Sequence, residues 1–150
     1  MSEIKRIHDQ LRRSYEGAAW HGPSVRELLD GVTAEQASRR GGDTNNIREL
    51  IRHIAAWEAA ATRTLGGAAH VDLPPEQDWP PERESFDAER EHLEKTHREL
   101  EAAVQAFPDG RLNENVNGDR GYSYYFLLHG VIQHNLYHAG QIAILKKALA

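Results

Sequence analysis

The sequence predicts an all-α protein, a four-helix bundle filling a single domain over residues 1–150. Four long stretches repeat apolar residues at three- and four-residue intervals, and segments rich in Gly and Pro separate them. The composition, 39% hydrophobic and 27% charged, supplies both a buried core and a solvated exterior. No internal repeat or low-complexity tract interrupts this plan.

The first stretch runs from about Ser2 to Ala19, where Ile4, Ile7, Leu11, Tyr15 and Ala18 form one apolar stripe. Trp20-His21-Gly22-Pro23 ends it, because Gly is poor in a helix interior and Pro clashes with the preceding turn. A short helical piece from Ser24 to Leu29 stops at Asp30-Gly31, and Thr33-Ala34-Glu35-Gln36 has the pattern that caps a further turn or two. Arg39 to Asp43 reads as a loop. The second long helix begins at Asn46, whose side chain can cap the first turn, with Glu49 favourably placed at the positive end of the helix dipole. Ile47, Leu50, Ile54, Trp57 and Ala61 form its stripe, and Gly66-Gly67 ends it. From Ala68 to Glu84 the two proline pairs, Pro74-Pro75 and Pro80-Pro81, predict a long non-helical crossover. Helix three runs from Ser85, a cap residue, to about Phe107, with Phe86, Leu93, Leu100, Val104 and Phe107 on one side. Pro108-Asp109-Gly110 stops it, and the Asn117-Gly118 step then allows a small hairpin or loop. The last helix spans about Ser123 to Leu149 along a seam of Leu127, Val131, Ile142, Leu145 and Leu149.

Composition removes several kinds of function. With no cysteine, disulfides, Cys-type zinc sites and cysteine nucleophiles are excluded. A net charge of −5 is unsuited to neutralising nucleic-acid phosphates. No apolar run approaches the roughly 18–20 residues that span a bilayer. The N-terminal MSEIKRIHDQ lacks the apolar core of a signal peptide, so the expected location is cytoplasmic. There is no HExxH pattern, no Gly-rich phosphate loop and no GxSxG elbow.

Nine histidines are the unusual feature. His134 and His138 stand one helical turn apart, on the same face, at seam positions where the pattern otherwise calls for aliphatic residues. A buried imidazole needs a hydrogen-bond partner or a metal, and two adjacent ones double the demand. His53 lies beside the stripe of helix two, between Leu50 and Trp57, and is the best third ligand. Three neutral imidazoles would make an open-faced site for Zn²⁺, Ni²⁺ or Fe²⁺, with room for water or a substrate donor atom. His97, between Leu93 and Leu100, is either a competing ligand or a polar core residue. His21, in its turn, either lines the mouth of a pocket or serves the turn alone. Glu49 could orient His53, although completing the helix start is its simpler role, and Gln141 and Tyr137 could support the site or merely solvate the helix. His129 is off the seam, and His8, His70 and His92 read as surface or loop residues.

The segment Ile47 to Glu58, IRELIRHIAAWE, followed much later by His134 to Ile142, HNLYHAGQI, resembles the DinB/YfiT-like superfamily. Tyr15-Glu16-Gly17 and Trp20-His21-Gly22-Pro23 are similar to one of its bacterial branches, so the resemblance covers essentially the whole chain. It implies an up-down-down-up four-helix bundle with a divalent metal held by three histidines, at positions matching His53, His134 and His138. Some members of that family are transferases or isomerases using bacillithiol, mycothiol or glutathione; others are assumed hydrolases, and dimers are common. The expected function is therefore a metal-dependent S-transferase, taking a small-molecule thiol and an electrophilic substrate. His21, Trp57 and Tyr137 are the expected substrate-binding residues, and the apolar rows on helices one and three could serve a homodimer interface or equally complete the core. The alternatives are a metal-dependent hydrolase and a non-catalytic metal- or ligand-binding stress protein.

Overall fold

A computed structural model describes residues 1–150. The four long helices are α1 (Glu3–Glu16), α4 (Ile47–Leu65), α6 (Phe86–Ala106) and α7 (Tyr124–Ala148). Short helices α2 (Val25–Leu29) and α3 (Ala34–Ser38) join α1 to α4, and α5 (Pro75–Asp78) lies between α4 and α6. No helix is long and apolar enough to cross a membrane.

Helix starts follow side-chain chemistry. Asn46 accepts from the Glu49 amide at 2.9 Å while the Glu49 carboxylate accepts from the Asn46 amide at 2.8 Å, so two otherwise orphaned N–H groups are satisfied. Ser24 and Glu27 repeat that reciprocal arrangement at α2. Thr33, Ser85 and Ser123 cap α3, α6 and α7 with their hydroxyls. Glu49 is thus a capping residue, further occupied by an ion pair with Arg40, and His53 finds its partner elsewhere. The first helix ends earlier than its periodicity predicts. Gly17, at φ 140°, breaks it, and Ala18 takes the left-handed conformation at φ 58°.

Contacts between the long helices set their directions. Arg48 meets Glu89 and Glu58 meets His97, so α4 and α6 run parallel. Glu58 meets Asn135 while His53, earlier on α4, meets His138, later on α7; these helices are antiparallel. Tyr15 bonds Glu94 and His8 pairs with Glu101, making α1 antiparallel to α6. The order is up-down-down-up. Parallel neighbours α4 and α6 cannot be joined by a tight turn, because the chain must first return along a helix about 28 Å long. The Gly66–Ser85 crossover makes that return. It is not wholly irregular as the proline pairs predict: Pro75 opens the one-turn helix α5, since a proline needs no amide partner at a helix start.

The segment after α6, where the Asn117-Gly118 step allows a small hairpin or loop, forms a loop closed by a minimal antiparallel pairing. It holds a 3₁₀ turn at Asp109–Arg111 and one antiparallel bridge between Asn115 and Ser123. Gly118, at φ 104°, lies so close to the crossover that a Cβ there would stand 3.0 Å from the His70 carbonyl oxygen. Around that bridge Val116 donates to Tyr122 and Tyr124 to Glu114, both at 3.0 Å, while the tip of the loop packs on the crossover.

The core divides into two apolar clusters. One contains Ile47, Leu50, Ile51, Ile54, Phe86, Leu93, Ile142 and Leu145; the other contains Leu11, Ala61, Leu65, Leu100, Val104, Leu127 and Val131. Trp57, read as part of the α4 stripe, is only half-buried, and Glu58 occupies the fully buried position. A second buried carboxylate, Glu89, accepts from Arg48 at 2.7 and 2.9 Å and from Arg52 at 2.7 Å. Its removal strands two guanidinium groups at low exposure. Glu89→Ala is expected to cost about 3–5 kcal/mol in urea unfolding, whereas Glu35→Ala, which breaks the exposed Arg39 pair, is expected to cost under about 1 kcal/mol.

Candidate metal centre

Helix α4 supplies His53, and α7 supplies His134 and His138. Antiparallel packing brings the one ring against the other two. The His134 Nε2 atom lies 3.0 Å from Nε2 of His53 and 3.2 Å from Nε2 of His138. One ring nitrogen from each of the three falls within 4.8 Å of the others, an arrangement that can hold a metal ion. Ligand nitrogens bound about 2.0–2.1 Å from a shared ion stand about 2.9–3.4 Å apart for angles from square to tetrahedral, and both close contacts fall in that range.

Tautomers sharpen the fit. The Asp78 backbone carbonyl can only accept, so His53 Nδ1–H donates to it, at 2.7 Å. His138 Nδ1–H likewise donates to Oε1 of Gln141, at 2.6 Å. Both protons are therefore held on Nδ1, and both Nε2 lone pairs face His134. A single N–H on His134 Nε2 could satisfy at most one of them. A cation shared among the three satisfies all. Each carbonyl-oriented ring is the usual outer support of a metal-bound imidazole.

The crossover covers this group. Asp78 also accepts from the Trp57 indole N–H through Oδ1, at 2.7 Å, so one residue fastens α5 to two side chains of α4. Trp79 lies face to face on the His53 ring, with centroids 3.9 Å apart and planes within 6°. Beside His134 is a cavity of about 210 Å³, walled mainly by Trp57, Tyr122, Phe126, Leu127 and Val131.

The other expected residues are placed as follows. Trp57 borders both the cavity and the centre, its ring centroid 6.1 Å from that of His134. Tyr137 is 67% exposed and meets His138 edge-on at 5.1 Å. His21 is exposed in the turn after α1, and the hydrogen bonds joining the three rings do not involve it. His97 is not a neighbour of the cluster. It is a buried core residue donating from Nδ1 to Glu58 at 3.0 Å and stacking on Tyr15. His129 lies against Tyr125. His8 pairs with Glu101, and His92 is half-buried near Arg52 and Arg83. His70 lies in the crossover loop as expected, but not at the surface: it is 5% exposed, bonded to Thr64 and part of the cavity wall.

Sequence reasoning missed Asp78, Trp79 and Glu58. A tryptophan set between an aspartate and two prolines was the available sign for the first two, being too apolar for a free connection. For Glu58 the sign was its phase, in step with Ile54 and Ala61.

Bundle order and clustered imidazoles together define a helical protein with a three-histidine centre that can hold a metal ion. The chain belongs to the DinB superfamily, whose family model matches residues 19–142. Among curated proteins none matches it.

Burial, and then the neighbouring His138 and His53 rings, lower the His134 pKa from 6.5 to about 3. Burial lowers His138 as well, against an opposing bond to Gln141. Both rings are neutral near pH 7, as metal ligands must be. Unfolded imidazoles bind protons below their ordinary value near 6.5, whereas folded His134 resists protonation down to about 3. Stability of the metal-free protein is therefore fully present above pH 6.5 and is lost as acidity increases toward pH 3. Urea midpoints measured from pH 7.5 downward are expected to fall, and to fall less steeply in His134→Phe.

Proposed function

We propose that this DinB-superfamily protein is a metal-dependent S-transferase that joins a low-molecular-weight thiol to an electrophilic small molecule at His53, His134 and His138. The observation that carries the reading is the convergence of three Nε2 atoms, two of them kept bare by bonds at Nδ1. A divalent cation held there, Zn²⁺, Ni²⁺ or Fe²⁺, supplies positive charge that favours the thiolate form of a bound thiol.

The chain's own groups do the arranging. Asp78 and Gln141 hold the proton of His53 and His138 away from the centre. Trp79 covers one face of His53 against water. Trp57, fixed by Asp78, and His134 line the side of the apolar cavity next to the centre, where an electrophile has room. Asp78, the carboxylate beside His53, already accepts from Trp57, so a hydrolase here would depend on the metal alone to ionise its water. A protein that only stored metal would have no use for the adjoining cavity.

Metal analysis with calorimetry tests the site, and consumption of a model electrophile with and without thiol tests the reaction. Wild type is expected to bind one zinc ion and to consume the electrophile only when thiol is present. His134→Ala is expected to lose both properties, and equal, buffer-like rates in the two proteins would overturn the enzyme reading. Gln141→Leu removes the orienting acceptor but no ligand, and is expected to weaken zinc affinity about 10–100-fold while leaving the urea midpoint near wild type.

A further inference from the structure

The cavity beside His134 carries chemistry that the thiol reading does not use. Its walls are aromatic and aliphatic. Tyr122 and Phe126 rings lie 5.0 Å apart, and Trp57 and His134 line the side toward the centre. The volume, about 210 Å³, exceeds the roughly 150 Å³ of apolar cavities known to take benzene. One aromatic ring with small substituents fits.

His70 is the polar feature of the wall away from the centre. Thr64 gives its only hydroxyl proton to the Ala60 carbonyl, at 3.0 Å. At 3.1 Å from the same oxygen, His70 Nδ1 is assigned as the donor, the tautomer with which both bonds of the Thr64 hydroxyl are made. Its proton is thus on Nδ1, and Nε2 keeps a lone pair with no donor from the protein. Burial lowers the His70 pKa, which keeps the ring neutral and accepting near pH 7. The residue is also firmly seated. Its amide donates to Asn117 at 2.8 Å, and Asn117 in turn donates to Gly67 at 2.8 Å. An acceptor rigidly placed in an apolar wall discriminates strongly, because a ligand lacking the matching donor leaves it unpaired.

We infer that this cavity binds a hydroxyaromatic small molecule, the ring lying among Trp57, Tyr122 and Phe126 and the hydroxyl donating to Nε2 of His70. As a binding pocket it stands independently; as the seat of the electrophile it rests on the S-transferase reading. Hydroxyaromatic molecules carrying an activated double bond, across which the thiol S–H adds with sulfur on one carbon, the proton on the other and nothing expelled, are then the substrate class.

Calorimetric titration of the full chain, metal-free and zinc-loaded, with phenol and with toluene provides the test. Phenol is expected to bind about 10-fold more tightly than toluene. His70→Phe is expected to abolish that preference. Gly130→Leu fills the cavity from α7, where a Cβ meets nothing within 4 Å, so the helix tolerates it and both ligands are expected to lose binding. Equal affinity for the two ligands in wild type overturns the inference, as does unchanged phenol binding in Gly130→Leu, which decides the matter should His70→Phe fail to fold. Zinc titration of the same samples separates the two readings. Zinc binding without phenol preference overturns the pocket alone, whereas phenol preference without zinc binding overturns the metal centre alone.

Discussion

The Glu58 carboxylate sets the register of the bundle. One oxygen accepts from Asn135 on α7 at 2.8 Å and from His97 on α6 at 3.0 Å. On all three helices the apolar positions before and after these residues belong to different clusters, so the polar group forms a waist between two greasy halves. Apolar seams are forgiving along their length, since one aliphatic knob can replace another. A buried carboxylate is not. A slip of one turn, about 5.4 Å, would leave it without donors at a cost well above that of an ordinary packing defect. Because Asn135 adjoins His134 and Glu58 lies little more than a turn beyond His53, the same bond fixes how α4 and α7 oppose their imidazoles.

A second constraint follows from direction. Parallel α4 and α6 oblige the chain to travel back over the bundle, and that obligatory stretch passes the open side of the three rings. It delivers His70 to the cavity wall, the Asp78 carbonyl to His53 and the Trp79 ring onto its face. A tighter connection would have left His53 without its acceptor and the centre open to water. The crossover is therefore part of the site, and the order of the helices is what brings it there.

These relations explain which features were readable from sequence. Long helices were readable because Ile4, Ile7 and Leu11, or Leu93 and Leu100, keep a period that reports burial directly, and because Asn46, Ser85 and Thr33 announce starts through local bonds. His134 and His138 were readable for the same reason: they interrupt an apolar period on one helix. His53 required a guess across two helices, and phase sufficed to place it. Asp78, Trp79 and His70 had no period to interrupt, since each acquires its role from a tertiary contact in an aperiodic connection. Glu58 had the right phase but the wrong chemistry for a core, and a charge beside a stripe is ordinarily solvated. The Asn117-Gly118 step announced the small pairing after α6, but no local pattern reveals that the Asn117 carbonyl also accepts from the His70 amide of the crossover.

The character of the ligand set also bears on what the centre would accept. Three imidazoles are neutral ligands, so a divalent ion among them keeps its charge almost unreduced by the groups that touch it. The nearest anion is the Asp78 carboxylate, and it reaches only the far nitrogen of His53, at 3.2 Å, while also accepting from Trp57. A divalent ion held there would favour an anionic guest over a neutral one, because the guest would supply the compensating charge that the protein withholds. Low-molecular-weight thiols meet this requirement by losing a proton. Alcohols and water must give up far more strongly held protons to do the same. The neutral ligand set, the engaged Asp78 and the adjoining apolar cavity are thus features that the proposed thiol chemistry would use together.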